Sequence, residues 1–360
     1  MIDNNNYDIQ QVKSKRIEYI DAMRGFTMLL VVYSHILTFG YSGEFERLFG
    51  GGKLLSFNEL FVIFRMPLFF FISGFILYRK DLDWTLPASG RFLLKKAKVQ
   101  ILPTAFFMTL FVSLVREPLL NAITDPAKAG YWFTLTLFEY FIIYVGYRLI
   151  SNLLHKKDGC DILLIIIATG VFAISRPEFF QTMHVPKVVI GLMGLVKLNY
   201  FVYFAMGTLI KKHFKKVESL MDKGSAKAML LLSFIGIVAA SYMGVPFADV
   251  LKRFTGFIGV LVVFATFRHY QAVFTQEHHI GRVLQFIGRC TLDVYLLHYF
   301  FLPHNLGGLG EFFASGNNYT IEFFVTILIA SMVITLSLGL SAVIRTSPIL
   351  AHWLFGVKIR

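Results

Sequence analysis

Charge is what this chain has least of. Lys, Arg, Asp and Glu make up 16% of its 360 residues, against ~25% in a soluble protein. With 56% hydrophobic residues and a mean hydropathy of +0.63, that scarcity excludes an ordinary soluble enzyme. Length therefore says nothing about a number of soluble domains. Cysteine is nearly absent too. Cys160 and Cys290 are the two present; both fall near cytosolic ends in the topology below, which argues against a structural disulfide. No cysteine or histidine spacing resembles a zinc site, so no metal is expected, and His278-His279 reads as a solvated pair in a loop. There is no Pro/Ser linker, low-complexity tract or second soluble module, and no visible inverted repeat of the transporter kind.

What is present is a series of apolar runs long enough to cross a bilayer. They lie near residues 18–40, 57–78, 99–116, 131–150, 160–175, 187–210, 227–244, 253–270, 284–303 and 320–344. The expected fold is thus all-α, a polytopic membrane protein of about ten transmembrane helices with both termini cytosolic. Its parts would be a polar cytosolic tail at 1–17, a single membrane domain at 18–345 and a short cytosolic C-terminal tail at 346–360. The first run is too long for a cleavable signal peptide and lacks a small-residue exit. The segment 304–319, rich in Gly and Asn, reads as a turn or mobile loop.

The net charge of +13 invites a nucleic-acid partner, but the placement of the charges opposes one. With the N-terminus in the cytosol, 24 of the 35 Lys and Arg residues fall on the cytosolic side and 8 on the outer side. That bias follows the positive-inside rule. The remaining three, Arg24, Arg65 and Lys197, fall inside spans. The basicity is topological, and membrane lipid, not nucleic acid, is the expected surrounding.

Arg24 and His35 share the first span, eleven residues apart. A helix turns about 100° per residue, so the two side chains return to within ~20° of one face, roughly 16 Å apart along the axis. Ionisable groups in a span are costly, ~2.5–3.5 kcal/mol for Arg even on the lenient insertion scale. Two on one face point to a protein-lined polar cavity. Counted from the predicted helix ends, His35, Arg65 and His298 lie roughly 7–12 Å deep in one outer layer, with Arg24 in the inner half. Each has a plainer reading. Arg24 can snorkel or pair with Asp21, one turn earlier. His35 and His298 can be hydrogen-bonded core histidines, the latter in a stripe with Thr291 and Tyr295. Arg65 can satisfy the carbonyl that Pro67 leaves free. Lys95, Lys96 and Lys98, before Pro103, read either as positive-inside anchors or as a phosphate clamp.

These motifs together resemble the membrane acyltransferase-3 family of polysaccharide O-acyltransferases, over about residues 16–345. Arg16-Ile-Glu-Tyr-Ile-Asp21-Ala-Met-Arg24-Gly25 followed by His35 is similar to the family's opening motif, and Phe64-Arg65-Met-Pro67-Leu-Phe-Phe-Phe-Ile-Ser73-Gly74 to its second-helix motif. Lys95-Lys96-Ala-Lys98 with Pro103, Tyr131-Trp132-Phe133, Phe204-Ala-Met-Gly207 and Gly288-Arg-Cys-Thr291-Leu-Asp-Val-Tyr295-Leu-Leu-His298 resemble weaker signatures. The basic third-helix start is lysine here, where the family mostly shows arginine. The resemblance implies ten core helices and transfer of an acyl group, usually acetyl, from cytosolic acyl-CoA to a hydroxyl of a sugar or lipid-linked glycan at the outer side. About 16 residues follow the last span, so acceptor handling falls to the membrane domain or to a partner.

The expected function is that of an O-acyltransferase of the bacterial cytoplasmic (inner) membrane, with acyl-CoA, acetyl-CoA foremost, as co-substrate and no metal. Lys95, Lys96, Lys98 and Arg24 would hold the CoA phosphates. His35 would act as general base, or form an acyl-histidine, and Arg65 would stabilise the oxyanion. Tyr295 and His298 would serve acceptor binding. The alternative is a membrane carrier or flippase for a small anion or lipid-linked sugar, using buried Arg24, Arg65 and Lys197 along a polar path. A succinyl donor would be the same chemistry.

Overall fold

A backbone surrounded by lipid must satisfy its N–H and C=O groups within the segment, and a helix does that. The computed structural model describes residues 17–41, 57–80, 82, 84–243, 248–316 and 318–355, with no strand among them. Helix α1 (Glu18–His35) continues through a π-helical turn (Ile36–Gly40), and α2 spans Phe57–Leu77. Helices α3 (Leu86–Lys96) and α4 (Leu102–Leu114) join through a second π turn, Ala97–Ile101. Short α5 (Leu119–Thr124) leads to α6 (Trp132–Leu153) and α7 (Asp161–Ile174). Short α8 (Pro177–Thr182), α9 (Lys187–Leu192) and a 3-10 stretch (Leu195–Tyr200) precede α10 (Phe201–Lys212). Then come α11 (Phe214–Met221), α12 (Gly224–Tyr242), α13 (Ala248–His269), α14 (His279–Arg289), α15 (Thr291–Leu297), α16 (Gly307–Ser315), α17 (Tyr319–Ile344) and α18 (Pro348–Phe355).

The all-helical, multi-span expectation holds. Among the described residues, five helices are long and apolar enough to cross a membrane: Glu18–Gly40, Phe57–Leu77, Leu86–Leu114, Trp132–Leu153 and Tyr319–Ile344. The pair α11 and α12, bent by 82°, makes a sixth if it counts as one span. Ten unbroken spans are not what the helices provide. The run at 187–210 is split at Gly194, which takes the left-handed φ of +57°. The run at 284–303 is split at Cys290, whose φ and ψ of −103° and 18° leave the helical region. The third run starts at Leu86, well before residue 99, because Thr85 caps it by accepting from the Ala88 N–H at 3.4 Å and Pro87 occupies the first turn.

One segment read as a loop carries a helix. Segment 304–319 contains α16, anchored where the buried Phe313 ring meets Tyr41 at 5.8 Å. Within the segment read as the C-terminal tail, α18 packs on α4. Phe355 meets Phe107 at 6.3 Å, and the Arg345 guanidinium covers the Phe355 ring at 4.4 Å. The expected N-terminal tail lies outside the described residues as far as residue 16.

Helix α1 is central. It is buried on nearly all sides, between one apolar cluster built on α2, α6, α10 and α13 and another built on α4, α15, α17 and α18. Large apolar side chains such as Phe324, Leu328 and Met332 on α17, and Ile162 and Ile166 on α7, face outward, as a lipid-facing belt requires. α14 crosses α1 with backbones in contact. A Cβ on Gly25 would overlap the Leu284 carbonyl, and one on Gly288 the Asp21 carbonyl. Gly25→Val is therefore expected to destabilise the fold at the top of the ~1–3 kcal/mol overpacking range. A thermal melt of the detergent-purified variant matching that of the parent protein would contradict this crossing.

Candidate active site

Beyond the break at Cys290, α15 climbs beside α1. Thr291 sits beside Arg24, and His298 sits beside His35. The Arg24 Nη2 donates to Thr291 Oγ1 at 2.8 Å, and the two imidazoles meet at 2.8 Å between His35 Nδ1 and His298 Nε2. The rings lie nearly parallel, with centroids 5.0 Å apart. His298 is fully buried; His35 is half-buried.

The hydrogen-bond network assigns the tautomers. His298 Nδ1 lies 2.9 Å from the carbonyls of both Val294 and Tyr295. Carbonyls only accept, so Nδ1 carries the hydrogen, and Nε2 of the neutral ring is an acceptor. His35 Nδ1 must then donate to it. The lone pair of His35 is thereby placed on Nε2, which no described protein group engages. A base held in one tautomer by a second, buried group is the logic of a hydrolase triad, with an imidazole and two carbonyls standing in for the carboxylate.

Tyrosines buttress the pair. The Tyr299 ring packs on His298 at 4.0 Å and on His35 at 5.2 Å. Its hydroxyl donates to the Gly130 carbonyl at 2.9 Å, as does that of Tyr295 at 3.0 Å. Tyr295 also accepts from the Phe133 N–H at 3.1 Å, so its hydroxyl is spent on structure and points to α6, away from His35. Gly130 has φ +93°, and a Cβ there would overlap the Tyr299 hydroxyl, so only glycine fits. The preceding Lys128 clasps this turn by donating to the carbonyls of Ile123 (2.8 Å), Gly191 (2.7 Å) and Leu192 (3.1 Å). Burial pulls the Lys128 amine below its usual range. Gly130→Ala is expected to displace Tyr299 and lower turnover ~10-fold or more, given what a 1 Å misplacement costs. Unchanged turnover in that variant would show that the buttress is not needed.

At the other end of α1, Arg24 also lies 3.9 Å from Asp21. The pairing with Asp21 thus has a counterpart, and Thr291 is a further partner. Lys96 is the one lysine of its trio turned inward. Its Nζ lies 4.7 Å over the Phe141 ring and 5.7 Å over Phe92, and Arg24, Lys95 and Arg79 lie within Coulombic reach of it. Lys95 and Lys98 are exposed. The structure therefore gathers Arg24, Arg79 and Lys96, with Lys95 at the rim, and does not turn all three lysines to one face.

Arg65 reaches Asn58, two turns earlier on α2. Its Nη1 donates to Asn58 Oδ1 at 3.3 Å, and its charge reaches His35, Tyr200 and Tyr299. His35 and His298 thus form a pair within electrostatic reach of Arg65. A carboxylate lies on the far side of α1. Glu322 is fully buried and accepts from the Tyr33 hydroxyl at 2.9 Å and from Thr326 at 2.8 Å, while Tyr41 meets Thr326 at 2.9 Å. It was visible in the sequence as a lone acid inside the last apolar run, which is by itself a flag for function. It ties α17 to the helix that carries His35. Glu322→Ala leaves two buried hydroxyls without their acceptor, a loss of ~1–3 kcal/mol for each unsatisfied group. A melting temperature unchanged from the parent would refute that clasp.

The acyltransferase-3 family model, described as an acyltransferase domain, matches residues 17–345. A protein of Bacillus subtilis (strain 168) named "Putative membrane-bound acyltransferase YfiQ" is 22% identical over 320 residues, which cover 80% of this chain and 81% of that protein. No solved structure matches.

Proposed function

This chain belongs to the acyltransferase-3 family and is an integral-membrane acyltransferase, and on that premise we propose that it moves an acyl group, acetyl foremost, from cytosolic acyl-CoA to a hydroxyl of a glycan on the outer side of a bacterial inner membrane. The observation that carries the reading is the histidine pair, which leaves a lone pair on the half-buried His35 Nε2. In the proposed reaction His35 Nε2 takes the proton of the acceptor hydroxyl while that oxygen attacks the thioester carbonyl. Arg65, within electrostatic reach of His35, faces the charge that develops on the carbonyl oxygen. The C–S bond then breaks, and the thiolate leaves as CoA thiol with the proton returned by His35. His298 holds the His35 ring; it is not an acceptor ligand in this scheme.

Arg24, Arg79 and Lys96 supply a basic mouth for the CoA phosphates, with the pantetheine arm running the roughly 16 Å of α1 toward His35. Arg24→Ala combined with Lys96→Ala is expected to raise the KM for acetyl-CoA by ~10- to 100-fold, on ~1.5–3 kcal/mol for hydrogen bonds to charged groups. The loss should shrink in high salt. An unchanged KM would move the donor site elsewhere.

The founding test is turnover. Protein in nanodiscs is incubated with radiolabelled acetyl-CoA and a membrane glycan fraction, and CoA thiol release and labelled glycan are measured. Acceptor-dependent release is the expected result. No release with acetyl-CoA or succinyl-CoA, alongside glycan flux in liposomes, would replace the reading with a carrier.

A further inference from the structure

Among the buried polar atoms that the chemistry above does not explain, two acceptors lie on neighbouring elements. Glu139 Oε2 and Asn199 Oδ1 are each buried without a hydrogen-bond partner among the described residues. Leaving such groups unmet costs ~1–3 kcal/mol, more for a charged one. Glu139 is on α6 and Asn199 in the 3-10 stretch 195–200, and these two elements pack along one seam. Gly194 lies against both Glu139 oxygens, its Cβ position 3.7 Å from each, and the Tyr140 hydroxyl donates to the Lys197 carbonyl at 2.6 Å. The same seam carries an aromatic plate. Trp132 and Tyr200, both half-buried, lie with centroids 6.1 Å apart and planes 26° from parallel. The Lys197 ammonium lies 4.6 Å over the indole.

Resting on the acyltransferase reading, we propose that this seam is an acceptor subsite that takes one pyranose ring. The chemistry of the groups selects that ligand. A carboxylate oxygen and an amide oxygen both accept, so the missing partners are donors, and a sugar presents several hydroxyl donors on one rigid ring. The electron-rich face of an indole attracts the positively polarised C–H face of such a ring, as it attracts Lys197. Lys197 ends a flexible chain and moves to the rim, where it donates to a further hydroxyl. The seam also adjoins the base. Phe133, next to Trp132, donates its N–H to Tyr295, three residues before His298, and Arg65 has both Tyr200 and His35 within Coulombic reach. A ring held here thus lies next to the layer of His35.

The chain has three tryptophans, so Trp84→Phe with Trp353→Phe leaves Trp132 as the sole indole reporter. That variant in nanodiscs is titrated with methyl glucoside and methyl N-acetylglucosaminide while Trp132 fluorescence is followed. A saturable change is expected with at least one of them, and its Kd should rise at least tenfold when the isosteric Glu139→Gln and Asn199→Ala are added. No saturable change with either pyranoside overturns the subsite. An equal response in the added variants also overturns it, since water then meets the two acceptors. Acetyl-CoA binding to the same preparation is measured by calorimetry. Donor binding without a sugar response sinks the subsite alone, whereas no donor binding sinks the acyl-CoA reading.

Discussion

His35→Ala is expected to lower acyl transfer by ~10²–10⁴-fold, the span ascribed to a positioned general base, while the protein still inserts, folds and binds acyl-CoA. The separation of effects follows from where the side chain sits. His35 ends the α-helical part of α1, is half-buried, and among the described residues makes one polar contact, to His298. Its removal leaves the α1–α14 crossing at Gly25 and the Tyr33–Glu322 clasp intact. Donor phosphates would meet Arg24 and Lys96 about 16 Å away along the helix, so donor KM should stay within a few-fold. Added imidazole distinguishes a missing base from a collapsed site, because a small base diffusing into the vacated space restores part of the rate only if the rest is in place. Transfer within threefold of the parent rate would take His35 out of the chemistry and leave the basic layer to be explained as a conduction path.

Much of this was legible because it is local to one helix. The eleven-residue step from Arg24 to His35 fixes a common face whatever surrounds it, and both side chains do turn to one neighbouring segment, α15 and the 3-10 turn His298–Phe300 that continues it. Partners remote in sequence were not legible. His298 is 263 residues from His35, and spacing alone grouped it with Tyr295 as an acceptor ligand. In the fold the two diverge, His298 to α1 and Tyr295 to Gly130. The orientations of the lysine trio were not legible for a related reason. Residues one and two apart do not share a helical face, and the π turn at Ala97–Ile101 intervenes before Lys98. Helix breaks at Gly194 and Cys290 lie within apolar runs, so hydropathy reads through them. Only the backbone dihedrals reveal that two expected spans are divided, and the second division is what lets α15 climb beside α1.

His298→Phe should then be nearly as damaging as loss of His35, ~10²-fold or more in kcat, though His298 touches no substrate in the proposed reaction. Phenylalanine keeps an aromatic ring for the Tyr299 contact at 4.0 Å and removes the acceptor for His35 Nδ1. The His35 ring then has no reason to keep its hydrogen on Nδ1, and the tautomer with the hydrogen on Nε2 cannot accept a proton from the acceptor. A purely structural role would predict no such loss, because phenylalanine packs well in a fully buried aromatic pocket. His298→Gln separates the two. Its side-chain oxygen can reach the position of Nε2 and accept from His35 Nδ1, so it should recover ~10-fold over phenylalanine even though it fits the pocket less well. Donor KM should be the same in all three proteins, because the base and not the donor site is altered. Equal kcat for the Gln and Phe variants, or a loss carried by KM, would mean that His298 supports the packing of α15 and does not set the proton on His35.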